Sequence, residues 1–147
     1  MDKRIKEAVD LFTDVMIYGT ERVIKKVDHP LWNEYSPEQM QMLKFIYKEG
    51  TVTSSRLAVL QGVNKSAISN RLKKLLQDEL VQIAESKDKR QKLLEITDEG
   101  EAKMRQSDAA LTAYIEKLML EQVEDEEIDQ FLHIFRKLKD ILIIDEV

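Results

Sequence analysis

Apolar residues recur in the N-terminal stretch at the spacing of one helix face. Between residues 3 and 27 they are Ile5, Ala8, Val9, Phe12, Val15, Met16, Gly19, Val23 and Val27, three and four positions apart. Gly19 either weakens this helix or lets another backbone come close. Asp28-His29-Pro30 ends it, because proline lacks an N–H and restricts the residue before it. A second helix opens at Ser36-Pro37-Glu38-Gln39, where a capping serine, a first-turn proline and a glutamine three residues after the cap coincide. Its stripe is Met40, Leu43, Ile46 and Tyr47, and Gly50 ends it. Thr53 or Ser54 caps a short helix carrying Leu57, Ala58 and Leu60 and closed by Gly62. Asn64 or Lys65-Ser66 opens the next, over 65–79, with Ile68, Leu72, Leu75 and Leu76 facing inward. Two short helices joined by Gly62-Val63-Asn64 predict a helix-turn-helix.

The period then changes. Leu80, Val81 and Ile83 read as a strand, and Leu94 and Ile96, alternating with Glu95, as a returning strand. Between them Ser86-Lys87-Asp88-Lys89-Arg90 is a polar turn, so the pair predicts a charged hairpin, or wing. Thr97-Asp98-Glu99 starts a long helix with heptad-like Met104, Leu111, Tyr114 and Leu118. Glu124-Asp125-Glu126-Glu127 favours the N-terminus of a last helix carrying Ile128, Phe131, Leu132, Phe135, Leu138 and Leu142. The predicted fold is mainly α: a winged helix-turn-helix core with a two-stranded β wing, flanked by N- and C-terminal helices.

Composition narrows the chemistry. At 147 residues the chain fits one domain. No run of 18 apolar residues occurs, so no membrane span is expected. Charges interrupt the apolar positions of MDKRIKEAVDLF, so a signal peptide is not expected and a cytoplasmic location is. The absence of cysteine excludes disulfides, thiolate metal sites and a cysteine nucleophile. Asp129 and His133 stand four apart, but with His29 the only other histidine they read as a surface pair, and no metal or cofactor is expected. No glycine-rich phosphate loop and no histidine near a nucleophilic serine is present, which argues against an enzyme.

Charge distribution points to a partner. Net charge is −5, yet residues 50–97 hold nine Lys/Arg against five acids, a local excess of +4 in a chain otherwise at −9. On the 65–79 helix, Ser66, Asn70, Lys73 and Gln77 lie opposite Ile68, Leu72 and Leu75, with Ser69 and Lys74 on the flanks. Asparagine, serine and lysine are groups that read base edges or phosphates in a major groove. The candidate DNA-binding residues are Ser54, Lys65, Ser66, Ser69, Asn70, Arg71, Lys73 and Lys74, with Lys87, Asp88, Lys89 and Arg90 on the wing. Lys92 adds to the cationic tip, and Asp88 is placed to hold Arg90 extended through a charge-assisted pair. The alternative for the helix is an ordinary solvated face, and for the hairpin an edge kept from aggregation by its charges.

The segments SPEQMQMLKFIYKEG, VTSSRLAVLQGVNKSAISNRLKKLLQDELV and DKRQKLLEITDEG together resemble the MarR (multiple antibiotic resistance regulator) family of winged-helix transcription regulators. The family's Asp-x-Arg wing signature and its Leu/Ile-Thr-x-x-Gly close fall on Asp88, Arg90, Ile96, Thr97 and Gly100. The resemblance implies one domain over 1–147, with dimerisation helices at 1–30 and 101–147 around a DNA-binding core at 36–100. It implies a homodimer on double-stranded DNA, a recognition helix at 65–79 and a minor-groove arginine at Arg90. It further implies a pseudo-palindromic operator, usually repressed and often released by a small anionic or aromatic effector. Tyr18, Trp32 and Tyr35 lie near the junction where such effectors lodge, and are weighed against plain core packing. Two departures stand out: Glu79 occupies a position often held by glycine, and Asn70 one often held by arginine. The competing reading is a winged-helix protein–protein interaction module without direct DNA binding.

Overall fold

The computed structural model describes residues 2–85, 88, 90 and 92–144, at 24 and 144 by backbone alone. Two units divide the chain, residues 1–111 and 112–147. The elements are α1 (Lys3–Lys26), α2 (Pro30–Glu34), α3 (Pro37–Glu49), β1 (Thr51–Val52), α4 (Ser54–Gln61), α5 (Lys65–Gln77), β2 (Val81–Ile83), β3 (Leu94–Ile96), α6 (Asp98–Met119) and α7 (Asp125–Ile144). No helix among the described residues is long and apolar enough to cross a membrane.

Local chemistry sets the helix starts. The Asp2 carboxylate accepts the Arg4 N–H at 2.9 Å and opens α1. Pro30, expected to end a helix, also begins one: His29 Nδ1 accepts the Leu31 N–H at 3.2 Å, and Pro30 fills the first turn of α2. The capping box of α3 is complete, with the Gln39 N–H on Ser36 Oγ at 3.1 Å and the Ser36 N–H on Gln39 Oε1 at 2.9 Å. Thr53 and Asn64 cap α4 and α5 through the Arg56 and Ala67 N–H groups.

The core of the first unit lies among α2, α3, α4, α5 and a three-stranded sheet. Met42, Leu43, Ile46, Leu57, Ile68, Leu75, Leu80 and Val81 are all nearly inaccessible. Each such aliphatic side chain contributes about 1.5–3 kcal/mol. The sheet order is β1-β3-β2, antiparallel throughout, with Val52 opposite Leu94 and Val81 opposite Ile96. The expected wing therefore gains a third strand, a two-residue β1 that docks on β3. The α3 stripe also turns: Met42 is buried where Tyr47 was expected, because this central helix is covered on more than one side.

Both helices of the helix-turn-helix end in the same hydrogen-bond pattern. After α4, the Gly62 N–H reaches the Val59 carbonyl and the Val63 N–H the Ala58 carbonyl. After α5, the Glu79 N–H reaches Leu76 and the Leu80 N–H reaches Leu75. This six-to-one closure requires a left-handed residue. Gly62 supplies it at φ +65°, whereas Glu79 adopts φ +58° with a full side chain. The α5 helix thus stops at Gln77, two residues before the expected end.

Thr97 and Gly100 lock the following junction. Thr97 Oγ1 donates to the Glu79 carbonyl at 2.7 Å and accepts the Gly100 N–H at 3.0 Å, capping α6. A Cβ at Gly100 would sit 2.1 Å from the Leu80 carbonyl oxygen, so only glycine lets α6 start there. The second unit contains α7, opened where Glu127 Oε1 accepts the Glu124 N–H at 3.0 Å. On α7 Phe131 and Phe135 stack at 4.0 Å, and Asp129 and His133 are both exposed.

Two substitutions test the junction. Gly100→Ala is expected to lower unfolding free energy by about 3 kcal/mol or more in urea titration. Glu79→Gly is expected to raise it by about 0.5–1 kcal/mol through relief of the left-handed cost. A Gly100→Ala protein as stable as the parent would show that α6 does not need this close approach.

Candidate nucleic-acid interface

The α5 helix separates its two faces cleanly. Ile68, Leu72 and Leu75 are buried, while Lys65, Ser66, Ser69, Asn70, Lys73 and Gln77 are exposed. Ser66, Asn70 and Lys73 stand four and three residues apart and share one outward strip. The thirteen residues of α5 make a rod of about 20 Å, and the short side chains in its first half let it enter a groove about 12 Å wide.

The remaining candidates of the helix-turn-helix are tied into the fold. Ser54 is half-buried in the first turn of α4. The Arg71 guanidinium donates to Gln61 Oε1 at 3.0 Å. Gln61 Nε2 in turn donates to the Glu38 carbonyl at 2.9 Å and to Gln41 Oε1 at 3.1 Å, so Arg71 braces α5 against α4 and α3. Lys74 turns to α2: its ammonium donates to the Glu34 carbonyl and lies 4.4 Å from the centre of the Tyr35 ring. Of the basic residues on α5, Lys65 and Lys73 are exposed.

On the wing, Lys87 and Lys89 lie outside the described residues. Asp88, Arg90 and Lys92 are exposed. Asp88 Oδ1 accepts the Arg90 backbone N–H at 3.0 Å, a turn-closing bond made by the main chain of Arg90. At the wing root Gln82 Nε2 donates to Glu95 Oε1 at 2.9 Å across the β2–β3 pair.

The aromatic candidates part company. Trp32 lines a cleft of about 460 Å³ bounded by α1, α2, α3 and α6, and its indole N–H reaches the Ser107 carbonyl at 3.4 Å. Apolar side chains dominate the lining, with Lys44 and Asp108 facing each other at 3.9 Å. Gly19 opens onto this cleft; no backbone approaches it, and a Cβ there would meet nothing within 4 Å. Tyr18 is exposed, and Tyr35 is a buried core residue; neither lines the cleft. The Tyr35 hydroxyl donates to Asp78 Oδ2 just past the end of α5. Sequence reasoning missed Asp78, Gln61, Lys44 and Asp108, whose partners lie ten or more residues away, beyond any local spacing rule.

A helix-turn-helix with a polar outward second helix, followed by an antiparallel hairpin bearing exposed cations, defines the winged helix-turn-helix class. Comparison with known proteins agrees. The MarR family model matches residues 35–91. The uncharacterized HTH-type transcriptional regulator YdgG of Bacillus subtilis is 36% identical over 141 residues, covering 94% of this chain and 92% of that protein. The HTH-type transcriptional regulator TcaR of Staphylococcus aureus is 33% identical over 117 residues, 76% of each chain. The solved structure of a MarR family protein from Bacillus stearothermophilus superposes with a TM-score of 0.78 at 18% identity, covering 97% of this chain and 98% of that one. The chain belongs to the MarR family, a family of transcription regulators and not of enzymes. Membership of this family implies DNA-binding transcriptional regulation. Among the described residues no group of three or more His, Asp or Glu is placed to hold a metal ion.

Burial, followed by the Asp78 carboxylate beside it, pushes the Tyr35 phenol well above its ordinary value of 10.0. The folded protein therefore holds this proton more tightly than the unfolded chain does. The stabilisation is fully present below pH 10 and is lost as pH rises through the folded value. In alkaline denaturation series the parent's advantage over Tyr35→Phe should shrink above pH 10 and stay constant below it. A pH-independent gap between the two proteins would contradict this assignment.

Proposed function

We propose that the protein is a homodimeric, sequence-specific repressor that lays one α5 helix per subunit into successive major grooves of a pseudo-palindromic operator. The observation that carries this reading is the outward strip of α5, with Ser66, Ser69, Asn70 and Lys73 exposed opposite a fully buried apolar face. Asn70 offers the paired donor and acceptor that match adenine, the serines suit either base type, and Lys73 suits guanine or phosphate. Arg90 on the wing is the candidate for the flanking minor groove, where the potential is negative.

Dimerisation rests on the terminal segments, residues 1–30 and 101–147, around the DNA-binding core at 36–100. On α1, Ile5, Val9, Phe12 and Val15 are each more than half exposed. On α7, Phe131, Ile141 and Leu142 are as well. Apolar faces of this extent mark an interaction surface. Burial against a second copy satisfies them and places two reading helices about 34 Å apart. The cleft beside Trp32 is the proposed effector site. Its apolar lining suits a small aromatic molecule, with the facing Lys44 and Asp108 as its charged groups.

Selection of bound duplexes from a random pool tests the reading directly, and should return a palindrome. Affinity for it should fall with salt at a log–log slope of about −0.9 per phosphate contacted. Asn70→Ala should cost about 1–3 kcal/mol on the selected duplex and little on random DNA. Arg90→Ala should weaken binding while the dimer stays intact in sedimentation. Failure to recover any duplex at low salt would refute the proposal, and equal losses on both DNAs would reduce Asn70 to a phosphate contact.

A further inference from the structure

Tyr35 receives opposite charges on its two polar features. Its ring face lies under the Lys74 ammonium at 4.4 Å, and its hydroxyl donates to the Asp78 carboxylate. Lys74 and Asp78 are four residues apart, so both reach from one side of the C-terminal end of α5. Lys74 also donates to the Glu34 carbonyl, the last residue of α2. Three directional contacts thus join α2 to α5 within one helical turn.

We propose that Tyr35, Lys74 and Asp78 form a latch that fixes the tilt of α5, and that they act as positioning residues for duplex binding. The inference rests on α5 being the DNA-reading helix. Elsewhere α5 is held by Ile68, Leu72 and Leu75, whose apolar packing has no directional preference, and by the single Arg71–Gln61 hydrogen bond near its middle, which leaves its C-terminal end to the latch. Hydrogen bonds and a cation over a ring do have one. Leverage makes the direction matter. Asn70 and Ser66 lie four and eight residues before Lys74, up to about 12 Å along the axis. A pivot of about 5° at the latch moves the far end by about 1 Å, enough to break a base-edge hydrogen bond.

The latch has a second end. Leu31 is buried beside the cleft, and Trp32 lines it while donating to the Ser107 carbonyl of α6. The five residues of α2 therefore connect the cleft at one side to the tilt of α5 at the other. Lys74 serves this connection, and its ammonium is not a phosphate clamp.

Anisotropy titrations on the selected duplex and on random DNA, across a salt series, test the latch. Tyr35→Phe keeps the ring and loses the donor, and Asp78→Ala loses the acceptor. Each should weaken selected-duplex binding about three- to tenfold, the cost of one hydrogen bond, with random-DNA binding nearly unchanged. Asp78→Asn still offers an amide oxygen and should restore most of the affinity. Lys74→Met should weaken binding without changing the salt slope. Thermal melts identify any variant whose loss reflects unfolding, and the Asn variant then decides. Trp32 is the single tryptophan, so duplex should shift the parent's emission and shift that of Tyr35→Phe less. Parent-like discrimination in Tyr35→Phe and Asp78→Ala overturns the latch. So does a slope lowered by about 0.9 in Lys74→Met, which would make Lys74 a phosphate contact. A parent that binds no duplex overturns the DNA-reading assignment as well, and the two failures are thereby told apart.

Discussion

Leu80 is where α5, the wing and α6 meet. Its N–H returns to Leu75 and closes α5, its carbonyl accepts the Thr97 N–H at 3.0 Å, and its side chain is fully buried. Gly100 rests on the same carbonyl with no side chain between. Because β2 begins at the next residue, the direction of the wing relative to α5 is set within this one turn. The left-handed Glu79 is the cost of that geometry, and the Thr97 hydroxyl on its carbonyl offsets part of it. Thr97 and Gly100 therefore belong to the structure of the junction: they set where the wing and α6 start.

Charge is allocated with similar economy. A protein of net charge −5 approaches a polyanion through a small cationic region, so the placement of each cation matters more than the total. Two of the basic residues on α5, Arg71 and Lys74, are spent on the fold, one bracing α4 and the other α2. Lys65 and Lys73 remain on the outward side, with Arg90 and Lys92 on the wing. The outward strip of α5 thus carries few charges and several short polar groups, a composition suited to base edges more than to non-specific phosphate attraction.

Local rules read the helix starts and the helix-turn-helix turn well, because a cap, a proline or a glycine acts on neighbours within four residues. Ser36, Thr53, Asn64 and Gly62 each sit where their chemistry predicts. At Glu79 the resemblance to a glycine position leaves a looser turn and a left-handed side chain as alternatives, and the structure has the second. What escaped depends on distance. A two-residue β1 has no period to detect, and α2 is five residues behind a proline that also signals termination. Met42 replaced Tyr47 in the core because α3 is covered on several sides, which a single amphipathic stripe does not anticipate. The roles of Tyr35 and Lys74 are set by partners some 40 residues away.

The proposed dimer follows from energetics as well as from exposed apolar faces. A single α5 presents about four side chains to the groove, and each good base contact discriminates by about 1–3 kcal/mol. Specific binding generally exceeds non-specific binding by about 4–10 kcal/mol. Of those side chains Asn70 and Lys73 suit a paired contact with a base, so one helix reaches about 2–6 kcal/mol, and two together reach about 4–12 kcal/mol, which covers the range. Doubling helps only if the half-sites are held at a fixed separation, since a flexible linkage dilutes the second contact. In the proposed dimer, burial of the apolar terminal helices against a second copy would supply that fixed separation. On this reading the apolar surface of α1 and α7 and the polar strip of α5 are parts of one requirement: a short helix gains useful specificity only when a rigid interface presents it twice.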